Sequence, residues 1–488
     1  MATAPARGNR EVPTLAITDF RHGLDTRKGA LTAEGGSLQA LTNAVITPGG
    51  DIEKRKAFVL LGTLPATTFG LFAQGSSLHT FGTASPGTVG AMPTFSPIAG
   101  LGDPNLGLST SAPVVYHQLD ATAGAMTDLV AIETYKNKFF VTGGITGPGA
   151  ATWWDGLPVA HRYWQRAYQS KMYSVNGSSL FFSSIGDPSQ ELNTVLSPGG
   201  GFIDMAEHDP DGASLTGLEI YYNSLAVFSR RAVQIWNVDP DPTLNTLKQV
   251  LRVGSLGPRS IRQFGTGDVL FLSDSGIRSL RALNYTLAAG VNDVGSPVDK
   301  FVVAAVLANP QAAYLSRAVL QPVTGRYWLS IDATVYVLSF FPSGKISAWS
   351  LFTLPFAPRE WAVLGNRVFC RATNNNVYLY GGPDDATYDS CEVRVRTPHL
   401  AADKPTIMKK PLAITAICTG AWSLAVGTVT DNTALFELVA NVVGPTTAQH
   451  RIPVSGHGTH MGVEMVSAAP GYALMSSVAL DYTMNEKL

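Results

Sequence analysis

Lys171-Met-Tyr-Ser-Val-Asn-Gly177, then Leu180-Phe-Phe-Ser-Ser184 and the turn Ile185-Gly-Asp-Pro188, decide how this chain is read. Tyr173 and Val175 stand two apart, as on one face of a strand, and Asn176-Gly177 is a dipeptide that tight hairpin turns favour because their central residues need positive φ. The run Leu180–Phe182 is apolar without alternation, as in a strand buried on both faces. The stretch predicts a β-hairpin.

The same grammar recurs. Its other instances are Gly75-Ser-Ser-Leu-His-Thr-Phe-Gly82, Lys136-Asn-Lys-Phe-Phe-Val-Thr-Gly143, Tyr222-Asn-Ser-Leu-Ala-Val-Phe228, Gly267-Asp-Val-Leu-Phe-Leu-Ser273, Gly325-Arg-Tyr-Trp-Leu-Ser330 and Gly365-Asn-Arg-Val-Phe-Cys370. Successive starts lie about 48 residues apart on average, near the length of a four-stranded propeller blade. Runs such as Val269-Leu-Phe-Leu272 suit inner strands sandwiched between neighbouring sheets. The fold predicted is all-β: a propeller of about five to seven irregular blades, with an additional β-rich domain formed by the terminal segments. Independent β-sandwich domains sharing the same hairpins are the alternative.

Composition supports this class. In 488 residues only 15% are charged, while 48 glycines and 30 prolines supply turns, a balance that fits short strands better than long solvated helices. A formal net charge of −1 gives no global field for nucleic acid or membrane. Cys370, Cys391 and Cys418 are too few and too irregular for a disulfide framework or a cysteine zinc site. No apolar run approaches the roughly 20 residues of a membrane helix, and the first residues carry charges where a secretory signal is apolar. The expectation is a soluble protein with no membrane span.

The predicted boundaries are a polar arm over 1–13, an N-terminal β segment over 14–60, the propeller over 61–390 and a C-terminal β-domain over 391–488 that packs with the N-terminal segment. Glu392-Val-Arg-Val-Arg-Thr397 alternates as a half-exposed strand does. Residues 82–112 and 186–217, dense in Gly, Pro and Ser, read as long connections.

The candidate sites are few. His450, His457 and His460 lie in a Gly-rich stretch without the carboxylate or cysteine that would complete a metal sphere. Glu207-His-Asp-Pro-Asp-Gly212 and Asp239-Pro-Asp241 lack calcium-loop spacing. Ser273-Asp-Ser-Gly276 superficially resembles the Asp-box of sialidase propellers, with the wrong spacing and without its Thr-Trp; Asp268, Asp274 and Asp332 are the acids a glycosidase would draw on. With no phosphate loop, nucleophile elbow or zinc-protease motif, the expectation is a non-enzyme without cofactor or metal. The charge feature that stands out is Lys248, Arg252, Arg259, Arg262, Arg278 and Arg281, set against Asp268 and Asp274 alone. Arginine suits both phosphate contacts and ion pairs across an interface, so these six are candidate channel or subunit-interface cations.

Asp19-Phe-Arg-His-Gly-Leu-Asp-Thr-Arg27, Leu38-Gln-Ala-Leu-Thr-Asn43, Pro48-Gly-Gly50 and Lys54-Arg55 resemble the opening of the tail nozzle (tail tubular protein B-like) family of short-tailed bacteriophages. Lys171–Pro188, Tyr222–Phe228, Gly257-Pro-Arg-Ser-Ile261, Leu270–Leu280 and Thr397-Pro-His-Leu400 with Lys404-Pro405 continue the likeness, while Ala57 stands where the family often has Pro. The resemblance implies a virion protein, assembled in the host cytoplasm, that forms a homo-oligomeric ring, a hexamer. It would contact a tail adaptor and tail fibre or spike proteins, retain packaged DNA, and touch that DNA transiently and non-specifically during ejection. Another head-tail joining or fibre-attachment role, and a carbohydrate-binding or glycan-cleaving propeller at the host surface, are the alternatives.

Overall fold

A computed structural model describes residues 12–66, 68–82, 92, 94–98, 101, 110–118, 126–135, 138–145, 152–154, 157–159, 164–187, 199–209, 214–286, 294–402, 404–445 and 451–484. The chain divides into two compact units, one of residues 57–337 and 353–387, the other of residues up to 56, 338–352 and 388 onward.

The first unit is a β-propeller. Seven strands, Thr68–Gln74, Met126–Tyr135, Trp164–Tyr168, Leu215–Tyr221, Arg262–Phe264, Arg317–Leu320 and Pro358–Leu364, stand in a closed ring in which each touches the next and the last touches the first. Each begins a blade whose further strands run outward. Blade seven takes its outermost strand from the start of the unit: Phe58–Thr63 pairs antiparallel with Asn376–Tyr380, so residues far apart in sequence close the ring.

The hairpins seen in the sequence map onto these blades one to one. In six of them the turn lies between the first and second strands, as where Gln74 faces Ser77, Tyr221 faces Ser224 and Leu364 faces Arg367. In blade three Gly177 belongs to the next turn, between Asn176 and Ser179, and its φ of +57° explains the glycine. The first turn there is Gln169-Ser170, both at positive φ without a glycine to mark them.

Strands apolar on both faces arise because blades stack. Leu225 and Val227 point toward blade three, into a cluster with Tyr173, Val175 and Leu180. Ala226 and Phe228 point the other way, toward Val269 and Phe271 of blade five, with the Phe228 and Phe271 rings edge to face at 5.1 Å. Alternate side chains thus feed two different cores, so no face is left to carry polar residues.

Two readings differ from the structure. The stretch 82–112, expected as connection, contains the blade-one strands Thr94–Ile98 and, beginning at Thr110, Thr110–Gln118; Thr94–Ile98 is the outermost strand, where Pro97 removes no ladder bond that matters. Likewise Gly201–Asp204, inside 186–217, is the outer strand of blade three. Most remaining residues of both stretches lie outside the described ones. Among the described residues blade five has three strands, followed by helices Leu280–Thr286, Asp299–Ala308 and Pro310–Tyr314; the apolar run from Phe301 is helical and buries Val302 and Val306.

In the second unit, Leu474–Met484 pairs with Thr14–Ile17, Ile52–Lys54 and Lys409–Thr419. A second array runs Ala40–Thr42, Val393–Arg396, Gly462–Ser467, Ala421–Gly427, Glu437–Val443. Val393 and Val395 are buried, while Arg394 and Arg396 reach Glu464 at 3.1 and 2.6 Å. Residues 338–352 group here, whereas the sequence boundaries put them in the propeller: Trp349 pairs with Gly23 and Leu351 with Thr42. Arg55 is the polar centre of the unit. It donates to Asn43 Oδ1 at 3.1 Å and Asp389 Oδ2 at 3.1 Å, and Asn43 Nδ2 donates to the Glu392 carbonyl at 2.8 Å. Lys54, equally buried, donates to the Ala469 carbonyl at 2.7 Å.

Candidate functional site

The inner strands of the propeller surround a cavity of about 270 Å³. Most blades contribute a charged side chain, and the signs are ordered around the ring: Glu133 from blade two, Arg166 from three, Glu219 from four, Arg259 and Arg262 from the start of five, Arg317 from six and Glu360 from seven. Trp164, Trp361 and Phe72 supply apolar wall between them.

The first three charges form a compact bridge. Arg166 reaches Glu133 at 3.2 Å and Glu219 at 2.8 Å. Burial by itself lowers the Arg166 pKa, but the two carboxylates outweigh it and hold the guanidinium above its ordinary value. Burial raises the pKa of Glu133 against the opposing pull of Arg166. Glu219 is almost fully buried and also accepts the Ile220 amide at 2.9 Å.

The second cluster is looser. Glu360 accepts the Leu71 amide of blade one at 2.6 Å, and Arg259, Arg317 and Arg371 approach it at 3.8, 3.9 and 3.8 Å. Those three separations exceed hydrogen-bond length, so one carboxylate is shared electrostatically among three guanidinium groups. Arg262 donates from Nε to the Ala318 carbonyl at 3.0 Å and is open to solvent through the cavity. Enclosure by protein lowers its pKa most, Glu219 opposes this, and the Arg166 charge adds to the lowering. Five arginines therefore meet three glutamates among the described residues of this site.

The six cations singled out in the sequence do not form one surface. Arg259 and Arg262 meet in the cavity. Lys248 lies on the outermost strand of blade four and donates to Ser224 Oγ at 2.7 Å, while Arg252 is exposed just beyond that strand. Arg278 is buried, bonded to Asp299 at 3.0 Å and to the Ser275 carbonyl. Arg281 is exposed on the helix that follows. Arg259 and Arg278 are buried and take part in ion pairs within the chain, with Glu360 and Asp299.

Of the acids considered for catalysis, Asp274 and Asp332 sit in turns, while Asp268 opens the strand Asp268–Ser273 and bonds Ser279 Oγ at 2.6 Å and the Arg281 amide at 3.0 Å. Asp241, considered for calcium, accepts the Thr243 amide at 3.0 Å. His450 lies outside the described residues. His457 is exposed, and His460 Nδ1 lies 2.9 Å from Thr459 Oγ1. Among the described residues no group of three His, Cys, Asp or Glu could hold a metal ion.

Sequence reasoning missed Glu133, Arg166, Glu219, Arg317 and Glu360. Their common signal is a charged residue within the first strand of a blade, as in Trp164-Gln-Arg-Ala-Tyr168 and Arg359-Glu-Trp361. It becomes visible only when the seven first strands are laid side by side.

No family model matches the chain, and no curated protein does. Solved structures resemble it at low identity. They include the Neurospora crassa Pan2 WD40 domain, at 11% identity and TM-score 0.31 over 52% of this chain and 75% of that one. The extracellular domain of the putative one-component system BT4673 from B. thetaiotaomicron is 7% identical with TM-score 0.38, covering 74% and 43%. PorZ, a surface component of the type-IX secretion system of Porphyromonas gingivalis, is 14% identical with TM-score 0.35, covering 67% and 46%. The chain spans less than half the length of the last two.

Proposed function

We propose that this chain is a structural virion protein: the tail nozzle of a short-tailed bacteriophage, forming a ring of six copies that retains packaged DNA and becomes the conduit for its ejection. The resemblance of Asp19–Arg27, Leu38–Asn43 and Lys54-Arg55 to that family suggests the role. The observation that carries it is an apolar sheet edge in the second unit. Glu437–Val443 ends its array, pairing with Ala421–Gly427, and along it Leu438 and Val443 are 65% and 78% exposed, with Leu435 at 45% just before. An edge strand with open backbone groups and apolar side chains is a template for another chain. A second copy is the occupant in this reading, because one patch docking onto a different patch of the next copy, repeated by rotation, closes a ring. A tail adaptor and fibre or spike proteins would bind the assembled ring. DNA would touch it weakly, since tight phosphate contacts would impede passage.

Light scattering coupled to size exclusion tests this. The parent chain is expected to run as a closed ring, and the double variant Leu438→Asp with Val443→Asp as a monomer of unchanged melting temperature. A parent chain that stays monomeric at every concentration, or a double variant that assembles as the parent does, refutes it.

A further inference from the structure

We infer that His399 makes the sheet edge of the second unit acid-sensitive: when its buried imidazole takes up a proton, Leu435-Phe436 and the edge strand Glu437–Val443 lift away from it. The opening does not depend on the nozzle reading.

The ring is enclosed on every side and neither nitrogen has a hydrogen-bond partner. Its backbone is pinned: the His399 amide donates to the Ala30 carbonyl at 2.8 Å, and Leu400 bridges Met461. Gly462, Gly427 and Phe436 surround the side chain. Leu435 closes the same wall as Phe436, since a Cβ on Gly427 would meet the Leu435 carbonyl and Phe436 Cδ1, each at 3.0 Å. A neutral imidazole here already leaves one N–H without an acceptor, and an imidazolium would leave two. Protonation therefore needs water, and water needs a way in.

The fold decides which wall gives. Gly427 ends the strand Ala421–Gly427 and Gly462 begins Gly462–Ser467, and each of these strands is paired on both sides. Leu435-Phe436 lead instead into Glu437–Val443, which ends its array with a single neighbour. Of that strand's seven residues Val442 alone is buried. A strand with so few buried apolar contacts opens at the least cost.

The charged groups on the surrounding elements do not favour a proton in the closed state. Arg396, on the strand that leads to His399, lies 5.4 Å from the Phe436 ring centre and pairs with Glu464 at 2.6 Å. His460, on the turn before Gly462, disfavours a second positive charge, and Lys409 acts on His460 in the same sense. Lys28 and Glu34, on the segment that carries Ala30, pair with each other, and Glu437 beside Phe436 is exposed. The closed pocket thus keeps the ring neutral down to about pH 4, whereas an opened one titrates near 6.5, so acid between those values drives opening. A partner paired with this edge competes with the opening, and its hold weakens in proportion to the population opened.

Amide hydrogen exchange of the full chain at pH 7.5 and pH 5.0, corrected for the intrinsic pH dependence of exchange, reads the opening. Amides of Glu437–Val443 should exchange ahead of those of Gly462–Ser467 at both pH values. Their opening equilibrium should rise roughly thirty-fold at pH 5.0, the factor set by pKa values of 6.5 and about 4. His399→Leu should abolish that rise. Deuterium uptake at the C2 carbon of His399 in the parent chain should place its titration well below 6.5, which keeps the test decisive if His399→Leu folds poorly. Edge amides that exchange no faster than those of Gly462–Ser467, edge protection unchanged by pH, the same rise in a folded His399→Leu, or a His399 midpoint near 6.5 would each overturn the inference.

Discussion

His399 gives the sharpest quantitative expectation. Its ring is 1% exposed, and neither Nδ1 nor Nε2 has a hydrogen-bond partner. Gly427 and Gly462 flank it so closely that a Cβ on either would lie 2.7 Å from Nε2 or 3.0 Å from Nδ1, and Phe436 covers it with ring centroids 5.3 Å apart. Burial, reinforced by the nearby His460, lowers its pKa from the ordinary 6.5 to about 4. The folded state therefore keeps this imidazole neutral while the unfolded chain takes up a proton as pH falls below 6.5. Stability is unaffected above that value and declines between pH 6.5 and 4. From the two pKa values the loss attributable to His399 is about 2 kcal/mol at pH 5 and about 3 kcal/mol at pH 4. Replacing it by leucine, of similar volume, costs about 1 kcal/mol in packing at pH 7.5 but removes the titration. Urea unfolding at pH 7.5 and pH 5.0 reads the effect. The parent should lose about 2 kcal/mol more than His399→Leu across that interval. Equal losses in the two proteins would show that the ring gains a proton in the folded state as easily as in water, and the reasoning would fail.

Two further expectations concern the propeller. Arg166→Gln leaves Glu133 and Glu219 facing each other without their shared cation, and should destabilise the unit by about 3–5 kcal/mol; because burial already raises the Glu133 pKa, the deficit should shrink as pH falls, and thermal unfolding at pH 7.5 and 5.0 showing a constant deficit would contradict it. Gly254→Ala places a methyl group 2.1 Å from the Ser229 carbonyl and 2.4 Å from the Arg230 carbonyl carbon; since both are backbone atoms that cannot rotate aside, calorimetry should show a loss of about 1–3 kcal/mol.

How much of this was legible in the sequence follows from the geometry of a radial fold. Turn glycines and strands without a polar face are local signals, so the hairpins of Gly75, Tyr222 and Gly365 could be read directly, and blade three lost its alignment only because Gln169-Ser170 makes a tight turn without glycine. The pre-propeller residues Asn43 and Arg55, noted for a resemblance, proved to be bonded to each other and, through Asp389 and Glu392, to residues more than 300 positions away; nothing in a basic cluster announces such a buried role. The cavity was hidden for the opposite reason. Its charges meet in space because each occupies the same place in a different blade, about one blade length apart in sequence, whereas Lys248 and Arg262, only 14 positions apart, stand on the outermost strand of one blade and the innermost strand of the next. Proximity along the chain is thus the wrong measure for a propeller, and the run of six cations mixed two cavity residues with four that serve blade edges and turns. The informative comparison is position within the blade: aligned that way, Glu133, Arg166, Glu219, Arg262, Arg317 and Glu360 come from the first strands of six successive blades and meet around one cavity.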